Sequence, residues 1–198
     1  MEIKRIVVSP FQTNCYILIK DQEAIVIDPG SGYKKIVELI GNHQLMAILL
    51  THGHLDHIGA VDKLYKQYKC PIYACKDDEK MLRDPSYNTL ASLSACVKAP
   101  INWLTSEKLV IGKFNIEVLY TPGHSKGSVM YIVENNLFSG DTLFHMSVGR
   151  VDLYGGSQHQ LENSLTVLNK LDPQMKVYPG HDEPTTVGYE LKYNPFLQ

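Results

Sequence analysis

Seven side chains able to coordinate a metal ion stand where apolar runs give way to glycine-containing turns. Four of them are crowded into Thr51-His52-Gly53-His54-Leu55-Asp56-His57. In extended backbone, residues two apart point to the same side, so His52 and His54 can converge on one ion. Asp56 and His57, where the chain turns into a helix, then point elsewhere and can serve a neighbouring ion, so the spacing suits two metals. Thr121-Pro122-Gly123-His124 and Tyr178-Pro179-Gly180-His181 each present a lone histidine on a tight glycine turn, and Ser139-Gly140-Asp141-Thr142 presents a carboxylate in the same way. Imidazole and carboxylate without thiolate suit zinc first, and also iron or manganese. The two oxygens of Asp141 allow it to bridge two ions. Five of the eight histidines share this context, which coincidence explains poorly; His43, His145 and His159 lack it and read as structural or exposed.

To bring such groups together, strands must end at a common edge. Apolar, β-branched runs at 3–8, 16–19 and 24–27, separated at Asn14 and at 20–23, read as an antiparallel meander. Helical spacing follows at 33–40, closed by Gly41-Asn42, and a buried strand at 46–50 leads into the histidine segment. A helix over 58–68 and a strand at 71–74 continue the alternation, whereas 84–106 shows no clear period and reads as a long excursion near the site opening. Strands are expected at 114–120, 128–133, 137–139 and 176–178, with helices at 160–171 and 186–193. Asp28, in the turn Ile27-Asp28-Pro29-Gly30, reads equally as a simple turn residue and as a partner orienting a ligand histidine.

The composition fits one globular domain spanning residues 1–198, with 44% hydrophobic and 20% charged residues. A net charge of −2, without a basic block, argues against nucleic acid as the partner. The charged N-terminus has only a short apolar run before Ser9-Pro10, which lacks the core of a signal peptide, and no segment has the ~20 apolar residues of a membrane span. A cytoplasmic protein with a small-molecule substrate is therefore expected. The four cysteines show no CxxC spacing and read as reduced and mostly buried.

The series His52-x-His54-x-Asp56-His57, His124, Asp141, His181 resembles that of the metallo-β-lactamase superfamily along almost the whole chain. The resemblance implies an α/β (α+β) fold, a four-layer αββα sandwich with two metals at one edge between its sheets. By position, His52, His54 and His124 would hold the first metal and Asp56, His57 and His181 the second, with Asp141 bridging. Gly140-Asp141-Thr142-Leu143-Phe144, Val148-Gly149-Arg150-Val151-Asp152 and Pro179-Gly180-His181-Asp182 look most like single-domain relatives of glyoxalase II, the hydroxyacylglutathione hydrolases. Arg150 falls where those enzymes place a basic residue for glutathione, whereas Asp152 and Glu183 stand where they place tyrosines. Only 17 residues follow His181, too few for their helical C-terminal domain. The bridging position of Asp141 argues against β-lactamase activity, and His54 stands where flavin-linked diiron members carry Glu.

The resemblance and the metal chemistry together imply hydrolysis of a thioester, hydroxyacylglutathione-like, by a hydroxide bridging two ions, with Asp56 as the catalytic carboxylate that orients it and Arg150 as a substrate contact. A thiol, with a pKa of about 8.5, can leave without a dedicated acid. The alternatives are a mononuclear iron persulfide dioxygenase using His52, His124 and Asp141, and another hydrolase of the superfamily such as a lactonase.

Overall fold

In the computed structural model, which describes residues 1–8 and 10–198, two six-stranded sheets lie face to face between outer helices. Ser9, at the break read from the sequence, lies outside the described residues. The meander forms as expected from β1 (Glu2–Val8), β2 (Thr13–Lys20) and β3 (Glu23–Ile27), paired antiparallel. Asn14, read from the sequence as a separator, is instead buried inside β2. Its side-chain amide donates to the carbonyls of Pro179 and Asp182, which repays its burial. After α1 (Tyr33–Ile40), strands β4 (Gln44–Leu49) and β5 (Ile72–Ala74) join in parallel beside β3.

The helix expected at 58–68 is two: α2 (Leu55–Ile58) and α3 (Val61–Tyr68). The chain breaks between them because the Ala60 N–H donates to the Pro29 carbonyl, locking the junction onto the Asp28-Pro29-Gly30 turn. The excursion is more ordered than its composition suggests. It contains α4 (Glu79–Arg83), a hairpin of β6 (Thr89–Leu90) and β7 (Leu93–Ser94), and β8 (Asn102–Trp103), which closes the first sheet beside β5.

The second sheet is built from β9 (Lys108–Ile111), β10 (Phe114–Tyr120), β11 (Val129–Val133) and β12 (Asn136–Gly140) in antiparallel sequence. A small hairpin, β13 (Leu143–Phe144) with β14 (Ser147–Val148), precedes α5 (Gln158–Leu165). A 3-10 turn over Thr166–Lys170 continues α5 in place of the single helix expected to Leu171. Then β15 (Lys176–Pro179) pairs in parallel with β12, and β16 (Thr185–Thr186) leads into α6 (Val187–Tyr193).

Three apolar layers follow from the side-chain alternation. Ile17, Val26 and Ile48 pack with Ile36, Ile40, Val61 and Leu64 under α1 and α3. Their neighbours Tyr16, Leu18, Ile25 and Ile27 face Phe114, Val118, Tyr131 and Phe138 between the sheets. Beyond them, Met130, Leu137 and Val177 pack with Leu161, Leu165 and Val187 under α5 and α6. Burying each such side chain contributes ~1.5–3 kcal/mol before entropy is counted. The result is the αββα order of layers.

Candidate metal centre

Hydrogen bonds across the seam between the sheets bring the ligand-bearing turns to one edge. The Val129 N–H donates to the Thr51 carbonyl, the Tyr131 hydroxyl to the Leu50 carbonyl, and the Asn14 N–H to the Gly180 carbonyl, at 2.7–2.8 Å. Gly180 also donates to the Gly140 carbonyl, tying the His181 turn to the Asp141 turn. A Cβ at Gly180 would collide with Asp141 Oδ1 and come within 2.9 Å of His57 Cε1, so this position tolerates no side chain.

All seven residues singled out in the sequence meet there. His52, His54 and His124 bring one ring nitrogen each within 4.8 Å of the others, and Asp56, His57 and His181 form a second such group. Asp141 lies between them: Oδ2 is 3.4 Å from Nε2 of both His124 and His181, and Oδ1 is 3.4 Å from His57 Nε2. Asp56 Oδ2 is 3.4 Å from His57 Nε2 and 3.3 Å from His181 Nε2. Donor atoms held about 2.0–2.1 Å from a tetrahedral ion would be about 3.4 Å apart, which these separations match. The 2.8 Å between His54 Nδ1 and His124 Nε2 is the one shorter spacing among them.

The hydrogen bonds behind the rings settle which nitrogens are left bare. Asp28 accepts from the Thr51 N–H at Oδ1 and from the Thr51 hydroxyl at Oδ2, and His57 Nδ1 is 3.0 Å from the same Oδ2. The Thr51 oxygen, its proton committed to Asp28, faces His52 Nδ1 at 3.0 Å. One carboxylate therefore draws the Nδ1 protons of two histidines, directly and through a hydroxyl, and turns both Nε2 lone pairs inward. The Arg150 carbonyl does the same for His124, 2.7 Å from its Nδ1. The Nε2 atoms of His52 and His57 and Oδ1 of Asp141 are consequently buried without a hydrogen-bond partner. Leaving buried acceptors unpaired costs about 1–3 kcal/mol each, a cost a bound cation removes. The donor set thus fits divalent ions.

The electrostatics divide the site. Burial, with neighbouring imidazoles adding to it, drives His52 well below its ordinary range and His54 to about 3, so both stay neutral. Burial also opposes charge on His57, but Asp56, Asp141 and Asp28 outweigh it and raise His57 well above its ordinary range. His181 is raised to about 10: burial opposes this, and hydrogen bonds to Asp141 and Asp56 prevail. Asp56 and Asp141 are held far below the usual carboxylate range because the charge favoured on His57 and the close approach of His57 and His181, 3.3–3.4 Å away, outweigh burial.

Two supporting residues, Thr13 and Asp78, escaped the sequence reading. The Thr13 hydroxyl donates to Asp56 Oδ2 at 2.6 Å. Asp78, in a charge-rich run that looks solvated, is buried and accepts from the Gly53 and Gly127 N–H groups and the Ser125 hydroxyl, joining the His52–His54 loop to the His124 loop. Arg150 lines the cleft of about 410 Å3 that opens beside the ligands. Its guanidinium grips Asp152 through two bonds of 2.6 and 2.7 Å. Glu183 pairs with Arg5 instead of facing the cleft residues.

The sequence profile of the family described as "Metallo-beta-lactamase superfamily" matches residues 8–181. This chain belongs to the metallo-β-lactamase superfamily. Among its relatives in the superfamily, "Hydroxyacylglutathione hydrolase GloC" of Haemophilus influenzae is 33% identical and the alignment covers 100% of this chain and 98% of that protein. The solved structure of "BLEG-1 B3 metallo-beta-lactamase" is similar at a TM-score of 0.94 and 39% identity, covering 100% of both chains. That of "TTHA1623 in a di-iron-bound form" is similar at a TM-score of 0.89 and 34% identity, covering 98% of this chain and 100% of that one. The superfamily is one of metallo-hydrolases, as the names of relatives such as "Probable metallo-hydrolase YqgX" of Bacillus subtilis, 39% identical over 100% of this chain and 98% of that protein, indicate. No helix among the described residues is long and apolar enough to cross a membrane.

Proposed function

We propose that residues 1–198 form one domain that hydrolyses thioesters in the manner of glyoxalase II. Two divalent ions, zinc or iron, would be held by His52, His54 and His124, by Asp56, His57 and His181, and by Asp141 between the two sets. The carrying observation is the convergence of buried, unpartnered His52 Nε2, His57 Nε2 and Asp141 Oδ1, each ring fixed from behind. The likeness to GloC supports the thioester, and the di-iron form of TTHA1623 supports a pair of ions. Such ions, when bound, bring the pKa of a coordinated water towards 7 and polarise a carbonyl.

The protein's own groups supply orientation. Asp56 stays ionised and, with Oδ2 taking the Thr13 hydroxyl and facing the ring nitrogens of His57 and His181, can accept a hydrogen bond from the attacking water at Oδ1. Arg150 keeps N–H donors beyond the two given to Asp152 and can meet a substrate oxygen. Water adds to the acyl carbon, the C–S bond breaks, and the products are a carboxylate and a thiol. With a pKa of about 8.5, that thiol departs as thiolate without a proton donor in the cleft. Free cysteines, three of them buried, suit a cytoplasmic setting.

The test is metal analysis of protein purified without chelators, followed by a substrate panel. Close to two ions per chain and thiol release from a thioester without oxygen uptake are expected. One iron per chain with oxygen consumed on a glutathione persulfide would replace this reading with the dioxygenase. The 39% identity to a chain named a B3 metallo-β-lactamase makes a chromogenic β-lactam the second substrate class in the panel. Its turnover in preference to every thioester would overturn the C–S assignment.

A further inference from the structure

The cleft beside the ligands has an apolar wall drawn from separate segments: Phe11, Leu55, Leu90 of the β6–β7 hairpin, and Leu153. Tyr87 and Tyr154 flank it, their ring centroids 4.8 Å apart and their planes inclined at 58°. Both rings are partly open to solvent, at 40% and 39% exposure, so each has surface left to cover. Apart from the histidines, Arg150 is the one cationic side chain among the described residues that line the cleft. That cation is already matched by the two-point grip of Asp152, which the pairing holds ionised at about 2. A ligand carboxylate could reach only the N–H groups that Asp152 leaves over, on an exposed guanidinium whose charge is already neutralised, so the contact brings almost no net gain. An uncharged ring, by contrast, gains from leaving water against the leucines and from stacking beside two tyrosines.

We infer that this cleft selects thioesters carrying an uncharged aromatic or branched apolar group and discriminates against those of thiols with free carboxylates, glutathione included. Arg150 then serves as a hydrogen-bond donor to a neutral carbonyl, its charge balanced by Asp152. The inference rests on the thioester reading for the bond that is cut, and on the cleft alone for what is held.

Binding without turnover separates the two. Metal-loaded protein would be titrated calorimetrically with two inert thioethers: S-benzyl-N-acetylcysteamine, neutral and aromatic, and S-methylglutathione, anionic and aliphatic. The neutral ligand should bind at least ~10-fold more tightly, as burial of one ring allows. Tyr87→Ala should weaken the benzyl ligand about 5-fold, in keeping with the worth of an aromatic pair, with a smaller change for S-methylglutathione. Asp152→Ala should free Arg150 and strengthen S-methylglutathione severalfold without helping the benzyl ligand, and Asp152→Asn should do the same if the alanine variant folds poorly. Equal or tighter binding of S-methylglutathione by the unaltered protein, failure of both ligands to bind, or no gain from either Asp152 variant would overturn the inference. If the neutral ligand binds as expected but no thioester is cleaved, the reaction falls and the specificity stands. If neutral and glutathione thioesters are cleaved with equal kcat/KM, the specificity falls and the reaction stands.

Discussion

Asp28 does two jobs with one backbone conformation. Its φ of 51° makes the turn before Pro29, and the same turn aims its carboxylate at Thr51 and His57. Replacing it by asparagine keeps the shape but puts an amide N–H2 opposite groups that donate to it now. His52 and His57 would lose the acceptor that sets their tautomers. Asp28→Asn should therefore weaken metal binding by about 10–100-fold in competition with a chromophoric chelator, with the circular dichroism spectrum preserved. Unchanged affinity would mean that Asp28 is a turn residue only.

A second expectation concerns protons. In the metal-free protein His57 is raised and His181 reaches about 10. A histidine with a raised folded pKa contributes stability that is complete below its unfolded value of about 6.5 and is lost as pH rises through the folded value. Chelated protein should accordingly lose stability between about pH 6.5 and 10 in denaturant titrations. Metal affinity should climb over the same window, with protons released in proportion, visible as a buffer-dependent enthalpy.

At this scale the seven ligand candidates were legible, because three imidazoles and a carboxylate in one hexapeptide are hard to explain by packing. Asp28 was half legible, since Asp-Pro-Gly is a turn whatever else it does. Arg150 was legible as a cleft residue, whereas its two-point pairing with Asp152 depends on side-chain directions that spacing does not fix.

Between residues and fold lie the loops that must keep their distance from one another. Asp78 sits in the 3-10 turn Lys76–Asp78 and fastens two of them, taking Gly53 with Oδ2 and Gly127 with Oδ1. Asn88 adds a bond from its side-chain amide to the Gly53 carbonyl. Asp78→Asn replaces an acceptor by a donor facing one of these N–H groups, so it should destabilise the protein by about 2–4 kcal/mol, the cost of buried donors left unpaired. Equilibrium urea unfolding would check this, and a loss below about 1 kcal/mol would show that the loops hold without the clasp.

The long excursion hid this arrangement because its ordering comes from bonds to other segments and not from a period of its own. Arg83 donates to the carbonyls of Val97 and Ala99, and Asp62 on α3 accepts from the N–H groups of Lys98 and Ala99. The strands between 114 and 133, by contrast, were legible from their β-branched and aromatic content. The two expected helices that proved divided were cut by long-range bonds or by a change to 3-10 winding, which apolar spacing cannot distinguish from a continuous helix.

The whole molecule buries both faces of its central strands, and β2 is buried at every position from Thr13 to Ile19. Its two faces feed different apolar layers, as Ile17 and Leu18 show. A strand of this kind reads as a continuous apolar run, so its existence is visible in the sequence but the pairing of sheets is not. That pairing came from the resemblance carried by the ligand series, and the three apolar layers agree with it.

The ligand series also crosses the molecule. His52 to His57 follow β4 of the first sheet, whereas His124, Asp141 and His181 follow β10, β12 and β15 of the second. A full set of donors exists only after the two sheets have docked, which is a late event for contacts so distant along the chain. Bound ions should then act on the way out of the native state and hardly at all on the way in. In stopped-flow experiments, saturating metal should slow unfolding by at least tenfold while refolding keeps nearly its metal-free rate. If refolding accelerated instead, the histidine hexapeptide would be capturing ions in the unfolded chain. On the expected outcome, the centre is a kinetic latch: the lifetime of the folded protein is set by how seldom its ions leave, and a cell that withdraws metal shortens that lifetime without altering how the next chain folds.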